Sequence, residues 1–404
     1  MTHIDRIGYL VPQFPGQTHI FFWREIAELE AKGVTPVLFS TRPPPPGLIA
    51  HDWTQDAIAR TTYLGQMSVM DTLRALPHLP WADIHAEARR DGRAVWKDAV
   101  ICAGAAYALK RTCAAQGIEH VHVHSCARAA LVAAFAQHLG GPSYSITLHG
   151  PLQDYGPAQP FKWRNAAFAT IITQKLIAEM QAAQPDDLPP RIILRPMGVD
   201  TEVLQRSAPY RPVPDGEPLR VFSCGRLNIV KGHQDLIAAV KILRAQGRDV
   251  QLEIAGQDDA GGDGFRLELE RILADSGVSD AVTLLGPIDA DAVKDKLLEA
   301  HIFALASWHE PLGVAYMEAI SCGVPTIGTD SGGVPELITD GVEGLLVPPK
   351  NPEALAKAIA RIADNPELAL QLSTSGRARM EREFSSRLGA ETLITEMERL
   401  SQSG

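Results

Sequence analysis

The sequence predicts an α/β chain of two doubly wound parallel-sheet domains. Three observations carry this. Short apolar runs alternate with helical stretches through Asp200, Gln205 to Pro218 breaks that rhythm with four prolines, and the same alternation restarts at Leu219. The expected organisation is a first domain over 1–204, a linker over 205–218 and a second domain over 219–384. The length of 404 residues fits two to three domains at ~150 residues each.

The elements follow in order. Ile7-Gly8-Tyr9-Leu10-Val11 is an apolar strand, followed by the loop Pro12-Gln13-Phe14-Pro15-Gly16. Phe22, Ile26 and Leu29 recur at helical spacing, Gly33 stops that helix, and Val34–Ser40 is a second strand. Arg42-Pro43-Pro44-Pro45-Pro46-Gly47 reads as a stiff exposed loop. Further strands are expected at 118–124, 143–149, 169–173 and 192–194. After the linker the strands are 219–223, 250–255, 281–285, 301–305 and 325–328, with helices at 232–246, 264–275, 290–299 and 313–322. In such sheets, ligands collect at the carboxyl ends of the strands.

Composition excludes several classes. With 45% hydrophobic and 21% charged residues, the chain is neither disordered nor collagen-like. The N-terminus has no apolar stretch of the signal-peptide kind, and no run approaches a membrane span, so a cytoplasmic location is expected. Five cysteines are scattered without a CxxC, which fits a reducing compartment. Residues 1–200 hold 18 Lys+Arg and 17 Asp+Glu, a balance of +1, so the remainder carries −11 and the whole chain −10. A nucleic-acid partner is not expected, because no basic stripe is present.

Four clusters carry chemistry. In Gly225-Arg226-Leu227-Asn228-Ile229-Val230-Lys231-Gly232, Arg226 leaves a strand and Lys231 enters a helix. Two cations converging there suit a diphosphate, Arg as a planar fork and Lys as a point charge. The bland alternative is a solvated loop. His309-Glu310-Pro311-Leu312-Gly313-Val314 leads into a helix that contains Glu318. Eight residues span a little over two turns, so both carboxylates are expected on one side, where they can accept from hydroxyls. Dipole compensation for Glu310 and an exposed position for Glu318 are the alternatives. Ser331-Gly332-Gly333-Val334-Pro335-Glu336 follows a strand, and its glycines let backbone N–H groups approach an anion. His149-Gly150 ends a strand, where a histidine can donate to an oxyanion, shuttle a proton or simply cap a loop.

Three other patterns stand apart from these clusters. Asp289-Ala290-Asp291 has the form of a metal-binding DxD, but its place at a helix start favours capping, so no metal is expected. Gly261-Gly262-Asp263-Gly264 lacks the Lys-Ser/Thr of a phosphate loop and reads as a turn. Arg89, Arg93 and Lys97 recur every four residues between Trp81 and Lys97. One shared helical face would suit an anionic lipid surface or a lipid diphosphate, and a solvated charged face is the alternative.

Taken in order, these motifs resemble the GT-B glycosyltransferases of family 4 (glycosyl transferases group 1), over most of the chain. The pieces are the Gly16 loop, the strand-end His149, Arg195-Pro196-Met197-Gly198-Val199-Asp200, the Gly-Arg…Lys-Gly loop, the Glu310/Glu318 helix and the Ser-Gly-Gly turn. Trp23 to Gly33 resembles the exopolysaccharide or colanic-acid branch. The resemblance implies two Rossmann-like domains facing across a cleft, with helix 385–404 returning to the first, acceptor-side domain. It implies a nucleotide-diphosphate sugar as donor, no metal, retention of configuration, and a saccharide or lipid-linked acceptor. Membrane contact would come through the first domain, at the inner face of the cytoplasmic membrane. Arg226 and Lys231 would hold the diphosphate, Glu310 the sugar hydroxyls and Glu318 the ribose. Gly225, Leu312, Gly313 and Val314 would line the donor, Gly286-Pro287-Ile288 the base, and Gly332 and Gly333 the sugar. Gly16 and His149 would sit by the diphosphate and the transferred sugar. Two departures stand out: Gly16 has no second glycine beside it, and Pro311 follows Glu310 where an aromatic residue or glycine is common. Other classes with the same scaffold are a catalytically silent partner subunit, a sugar-nucleotide epimerase, a phosphorylase and a nucleotide-sugar sensor.

Overall fold

The computed structural model describes residues 5–16, 19–44, 52–65, 68–258 and 264–403. Pro45 to Gly47 and Gly261 to Asp263, singled out above, lie outside the described residues, as do Gln17 and Thr18 next to Gly16. The chain divides into two compact units, Met1–Pro196 with Arg387–Gly404, and Met197–Ser386.

The first unit holds β1 (Arg6–Gln13), β2 (Thr35–Arg42), β3 (Thr62–Tyr63), β4 (His120–Val123), β5 (Ser143–Leu148), β6 (Ala169–Ile171) and β7 (Ile192–Leu194). They form one parallel sheet in the order β3-β2-β1-β4-β5-β6-β7. Ile7 to Val11 are all buried, as expected of a central strand covered on both faces. Phe22, Ile26 and Leu29 of helix Ile20–Ala31 pack on Ile7, Tyr9 and Val11. Helix Ser386–Ser403 adds Ala390, Leu393 and Met397 to the same core. Arg191 donates to Glu396 at 2.7 and 2.9 Å and Lys32 pairs with Glu391 at 2.9 Å, fixing that helix.

The second unit holds β8 (Leu219–Cys224), β9 (Val250–Ala255), β10 (Val282–Gly286), β11 (Ile302–Ala304), β12 (Thr326–Thr329) and β13 (Leu345–Val347), in the order β10-β9-β8-β11-β12-β13. Both sheets reverse direction beside their first strand, between β1 and β4 and between β8 and β11. That is where a doubly wound sheet opens a crevice at its carboxyl edge.

The division falls at 196/197 rather than at 204/205, and the proline-rich 205–218 segment is packed on the second unit. The Arg206 guanidinium donates to the carbonyls of Leu297 (3.1 Å), Leu298 (2.9 Å) and Cys322 (2.7 Å). Two of these are orphan acceptors at the end of helix Ala290–Glu299. Tyr210 is buried in the second core and donates to the carbonyl of His301 at 2.8 Å. Prolines remove periodicity without removing packing, so the composition signal was misplaced by several residues. The chain leaves the second unit by two adjacent segments: Val199 N–H donates to Phe384 O (2.8 Å) and Ser386 N–H to Val199 O (2.9 Å).

Two helical expectations are corrected. Gly92, at φ +85°, ends helix Trp81–Asp91 before helix Ala94–Gln116 begins, so Arg89, Arg93 and Lys97 share no continuous face. Glu310 lies in a loop, since its helix runs only over Val314–Ser321, so the two-turn argument placing it beside Glu318 does not apply. Asp289 caps helix Ala290–Glu299, accepting from Ala292 N–H at 2.8 Å. Among the described residues, no helix is long and apolar enough to cross a membrane.

Candidate functional site

In the second unit, three loops at the carboxyl ends of β8, β11 and β12 are laced together by hydrogen bonds. The β8 loop makes one tight turn, Ile229–Lys231, and ends at Gly232 with φ +69°. A side chain at Gly232 would overlap the Ala306 carbonyl of the β11 loop, so only glycine fits. Val230 O accepts from Trp308 N–H (2.7 Å) and from the Ser307 hydroxyl (3.2 Å). The β12 loop is tied to the β11 loop in turn. Thr329 donates to Ser307 O (2.6 Å), Ser331 to Trp308 O (2.8 Å) and Gly333 N–H to Glu310 O (2.8 Å). Gly332, at φ +66°, lies so close to the Glu310 backbone that a Cβ would strike it.

This framework brings Lys231 and Glu310 together as an ion pair, with side chains only 12% and 11% exposed. Glu310 is thus a buried carboxylate whose partner comes from a different loop. Glu318, on helix Val314–Ser321, stands close to Cys224 at the end of β8. Burial first, and then the Glu318 carboxylate, push the Cys224 thiol up to about 12. Arg226 is exposed at the mouth of the β8 loop, and its carbonyl faces His233 Nε2 at 3.2 Å. Gly225 N–H donates to Ala255 O at 3.0 Å. Leu312 is buried, so only its backbone is available, while Gly313 (φ +98°) opens the helix and Val314 is half-buried. Gly286, at φ +76°, lies beside the Arg266 guanidinium, with Pro287 exposed and Ile288 half-buried.

The arrangement offers a cation, a carboxylate, glycine-lined backbone and a helix start within one hydrogen-bonded unit. Those groups match the demands of an anionic, polyhydroxylated ligand.

In the first unit, His149 follows β5 and Gly16 follows β1. His19 N–H donates to Gly16 O at 3.0 Å, and the His19 ring packs on Phe22 at 5.1 Å, which in turn meets His149 at 5.6 Å. His149 Nε2 lies 3.3 Å from His124 Nδ1. Burial holds His149 down to about 3 and His19 to about 4, so both are neutral at ordinary pH.

Some residues of these loops escaped the sequence reading. His233 is fully buried and held neutral by burial at about 4, propping the β8 loop. The Trp308 indole donates to Asp235 at 2.7 Å and carries the Lys350 ammonium 4.2 Å above its ring. The signal for His233 was its place directly after Lys231-Gly232. For Lys350 there was none, since it arrives from the far end of β13.

Residues 209–379 match the family described as glycosyl transferases group 1. That match lies wholly within the second unit. Among curated proteins, the amylovoran biosynthesis glycosyltransferase AmsK of Erwinia amylovora is 32% identical over 191 residues, 46% of each chain. A GDP-mannose-dependent phosphatidylinositol monomannoside mannosyltransferase of Corynebacterium glutamicum is 27% identical over 71% of this chain and 78% of its own. The chain spans less than half the length of AmsK and of the alpha-D-kanosaminyltransferase of Streptomyces kanamyceticus, which it matches at 32% identity. Among solved structures, Anabaena HepE in complex with UDP and glucose aligns over 98% of this chain and 100% of its own, with TM-score 0.74 and 17% identity. A Rickettsia africae glycosyltransferase aligns over 99% of both chains, with TM-score 0.72 and 17% identity. The fold is therefore GT-B, with both units Rossmann-like, and the stretch that matches the group 1 family supplies the laced loops.

Proposed function

We propose that this chain is a retaining, metal-independent glycosyltransferase. It moves a sugar from a nucleotide-diphosphate sugar to a saccharide or lipid-linked acceptor, in cell-surface polysaccharide or glycolipid synthesis. The observation that carries the reading is the Lys231–Glu310 pair on the three laced loops. The donor would exchange partners with that pair. Its diphosphate takes Lys231 and Arg226, and Glu310 is released to accept from sugar hydroxyls while Glu318 accepts from the ribose. As the glycosidic bond breaks, negative charge builds on the departing diphosphate. Two fixed cations and the start of helix Val314–Ser321 stabilise it there, the task a metal performs in DxD enzymes. The anomeric carbon becomes oxocarbenium-like, and the acceptor hydroxyl attacks the same face, its proton passing to the departing diphosphate oxygen. His149 is assigned to a hydroxyl of the transferred sugar and Gly16 to the diphosphate.

HepE was captured with UDP and glucose and AmsK is named for amylovoran synthesis, which supports a nucleotide sugar and a polysaccharide pathway here. A silent partner subunit would need neither Lys231 nor Glu310. The reading places the enzyme in the cytoplasm, at the inner face of the membrane. Membrane contact is assigned to the exposed, stacked Trp81 and Trp96 (5.9 Å) and the nearby Val100 and Ile101, flanked by Arg93 and Lys97.

The test is a thermal-shift screen against UDP-, GDP- and ADP-sugars, repeated with Lys231→Ala and Glu310→Ala. One donor class is expected to shift the wild type, with ~2.7 kcal/mol gained at 100 times Kd, and to leave the variants unmoved. No shift with any donor would overturn the reading.

A further inference from the structure

Four polar groups form a buried line in the first unit that the proposed chemistry leaves unexplained. Tyr9 O–H donates to Glu25 Oε2 at 2.7 Å. His124 Nε2 lies 3.1 Å from the same carboxylate oxygen, out of hydrogen-bond alignment but in direct electrostatic contact. His124 Nδ1 then lies 3.3 Å from His149 Nε2. At the end of the line, His149 Nδ1 is buried and has no partner among the described residues. Phe22 packs against both rings, at 4.7 Å from His124 and 5.6 Å from His149, and Phe21 covers His149 at 5.6 Å.

Each neutral imidazole carries one N–H, and that count decides the arrangement. The other ionisable groups facing the line are His19, His122 and Tyr155. None supplies a positive charge, because burial holds His19 to about 4 and His122 well below its usual value. If the His124 proton sat on Nδ1, its Nε2 lone pair would face the Glu25 carboxylate at 3.1 Å, and two electron-rich atoms would repel. With the proton on Nε2, the positive end of the His124 N–H lies beside the carboxylate at 3.1 Å, without a hydrogen bond, and the Nδ1 lone pair faces His149. The proton shared by the two rings must then belong to His149 Nε2, which leaves His149 Nδ1 as a bare acceptor.

We propose that Glu25 and His124 are positioning residues that lock His149 in its Nε2–H tautomer, so that Nδ1 accepts a hydrogen bond from a ligand hydroxyl. This rests on the assignment of His149 to the transferred sugar and deepens it. The histidine accepts from a sugar hydroxyl and is not a donor to an oxyanion. Phe21 and Phe22 pack against the His149 ring at 5.6 Å each and help hold it in place.

The experiment is long-range proton–nitrogen NMR on the full chain labelled at its histidines, near neutral pH. The His149 signals are assigned by their disappearance in His149→Gln. The expected result is a protonated Nε2 and an unprotonated Nδ1 at His149 in the wild type. In Glu25→Gln the preference is expected to be lost or reversed. In Tyr9→Phe, which keeps the carboxylate, it is expected to persist. His124→Phe serves as a second break in the line, with Glu25→Gln as the near-isosteric variant that retains the fold. A wild-type proton on His149 Nδ1, or a tautomer unchanged in Glu25→Gln and His124→Phe, would overturn the proposal. Kinetics separately test the assignment it rests on. Glu25→Gln is expected to lower kcat about tenfold with donor KM little changed, because the diphosphate is held elsewhere. A shifted tautomer with unchanged kcat would sink the sugar assignment and leave the tautomer lock standing.

Discussion

Substituting Lys231 perturbs structure and chemistry at once, and the two can be separated. Lys231→Ala leaves the Glu310 carboxylate buried without its cation. Removing one partner of a buried pair costs ~3–5 kcal/mol, and the slight exposure of both side chains places this one near the lower end. For a unit of this size each kcal/mol moves Tm by ~2–4 °C, so calorimetry is expected to show the second unit melting ~6–12 °C lower. Turnover is expected to fall as well. A lost charge-assisted phosphate contact is worth ~1.5–3 kcal/mol, which is roughly ten- to hundredfold in kcat/KM. The double variant Lys231→Met/Glu310→Gln removes both charges and is expected to recover most of the stability and none of the activity. Recovered turnover in the double variant, or near-normal turnover in Lys231→Ala, would refute the diphosphate role.

Lowering pH is expected to destabilise the first unit before the second. Burial depresses His19 to about 4 and His120, His124 and His149 to about 3, so between pH 6.5 and those values the unfolded chain binds protons that the folded one refuses. Stability is therefore full above ~6.5 and falls as pH drops, by up to ~2 kcal/mol per histidine at pH 5. Melting curves that are flat from pH 7 to 5 would contradict it. Gly332→Ala is expected to cost ~1–3 kcal/mol through its positive φ and its overlap with Glu310, and to raise donor KM with it. EDTA is expected to leave turnover unchanged, measured with the same donor before and after dialysis. Leu393→Ala, in a helix far along the chain from the sheet it covers, is expected to lower the first unit's stability by ~2–5 kcal/mol on denaturant titration.

Much of the architecture was legible because apolar periodicity reports burial directly. Strand β1 read as a continuous apolar run, and helix His233–Ala245 was expected over 232–246, its Leu236, Val240 and Leu243 being buried at helical spacing. The two-residue strand β3 was not legible, since Thr62-Tyr63 carries no pattern of its own and exists only as an edge beside β2. The unit boundary was misplaced because prolines mark irregular backbone, whereas Arg206 and Tyr210 inside that segment make the contacts that decide which unit holds it. In the site, the types Lys231, Glu310 and Gly332 were recognisable, but their mutual bonds were not. Those bonds join residues up to 79 positions apart, and no local spacing encodes them. Residues such as Glu25 and His124 looked like surface and strand residues in the sequence, and only the sheet order brings them to His149.

The first unit is built from two separate stretches of chain, with residues 197–386 interposed between them. During synthesis its seven strands emerge first, and Phe22, Ile26 and Leu29 can pack on Ile7, Tyr9 and Val11 at once, yet that core is incomplete until Ala390, Leu393 and Met397 have been made. The second unit, continuous in sequence, can fold in the interval. The unit made first is thus the last to be finished, and through that interval part of its core lacks its last helix. A ribosome stalled inside the second unit would hold a chain with that part exposed, so translational pauses between 197 and 386 become points of aggregation or chaperone capture.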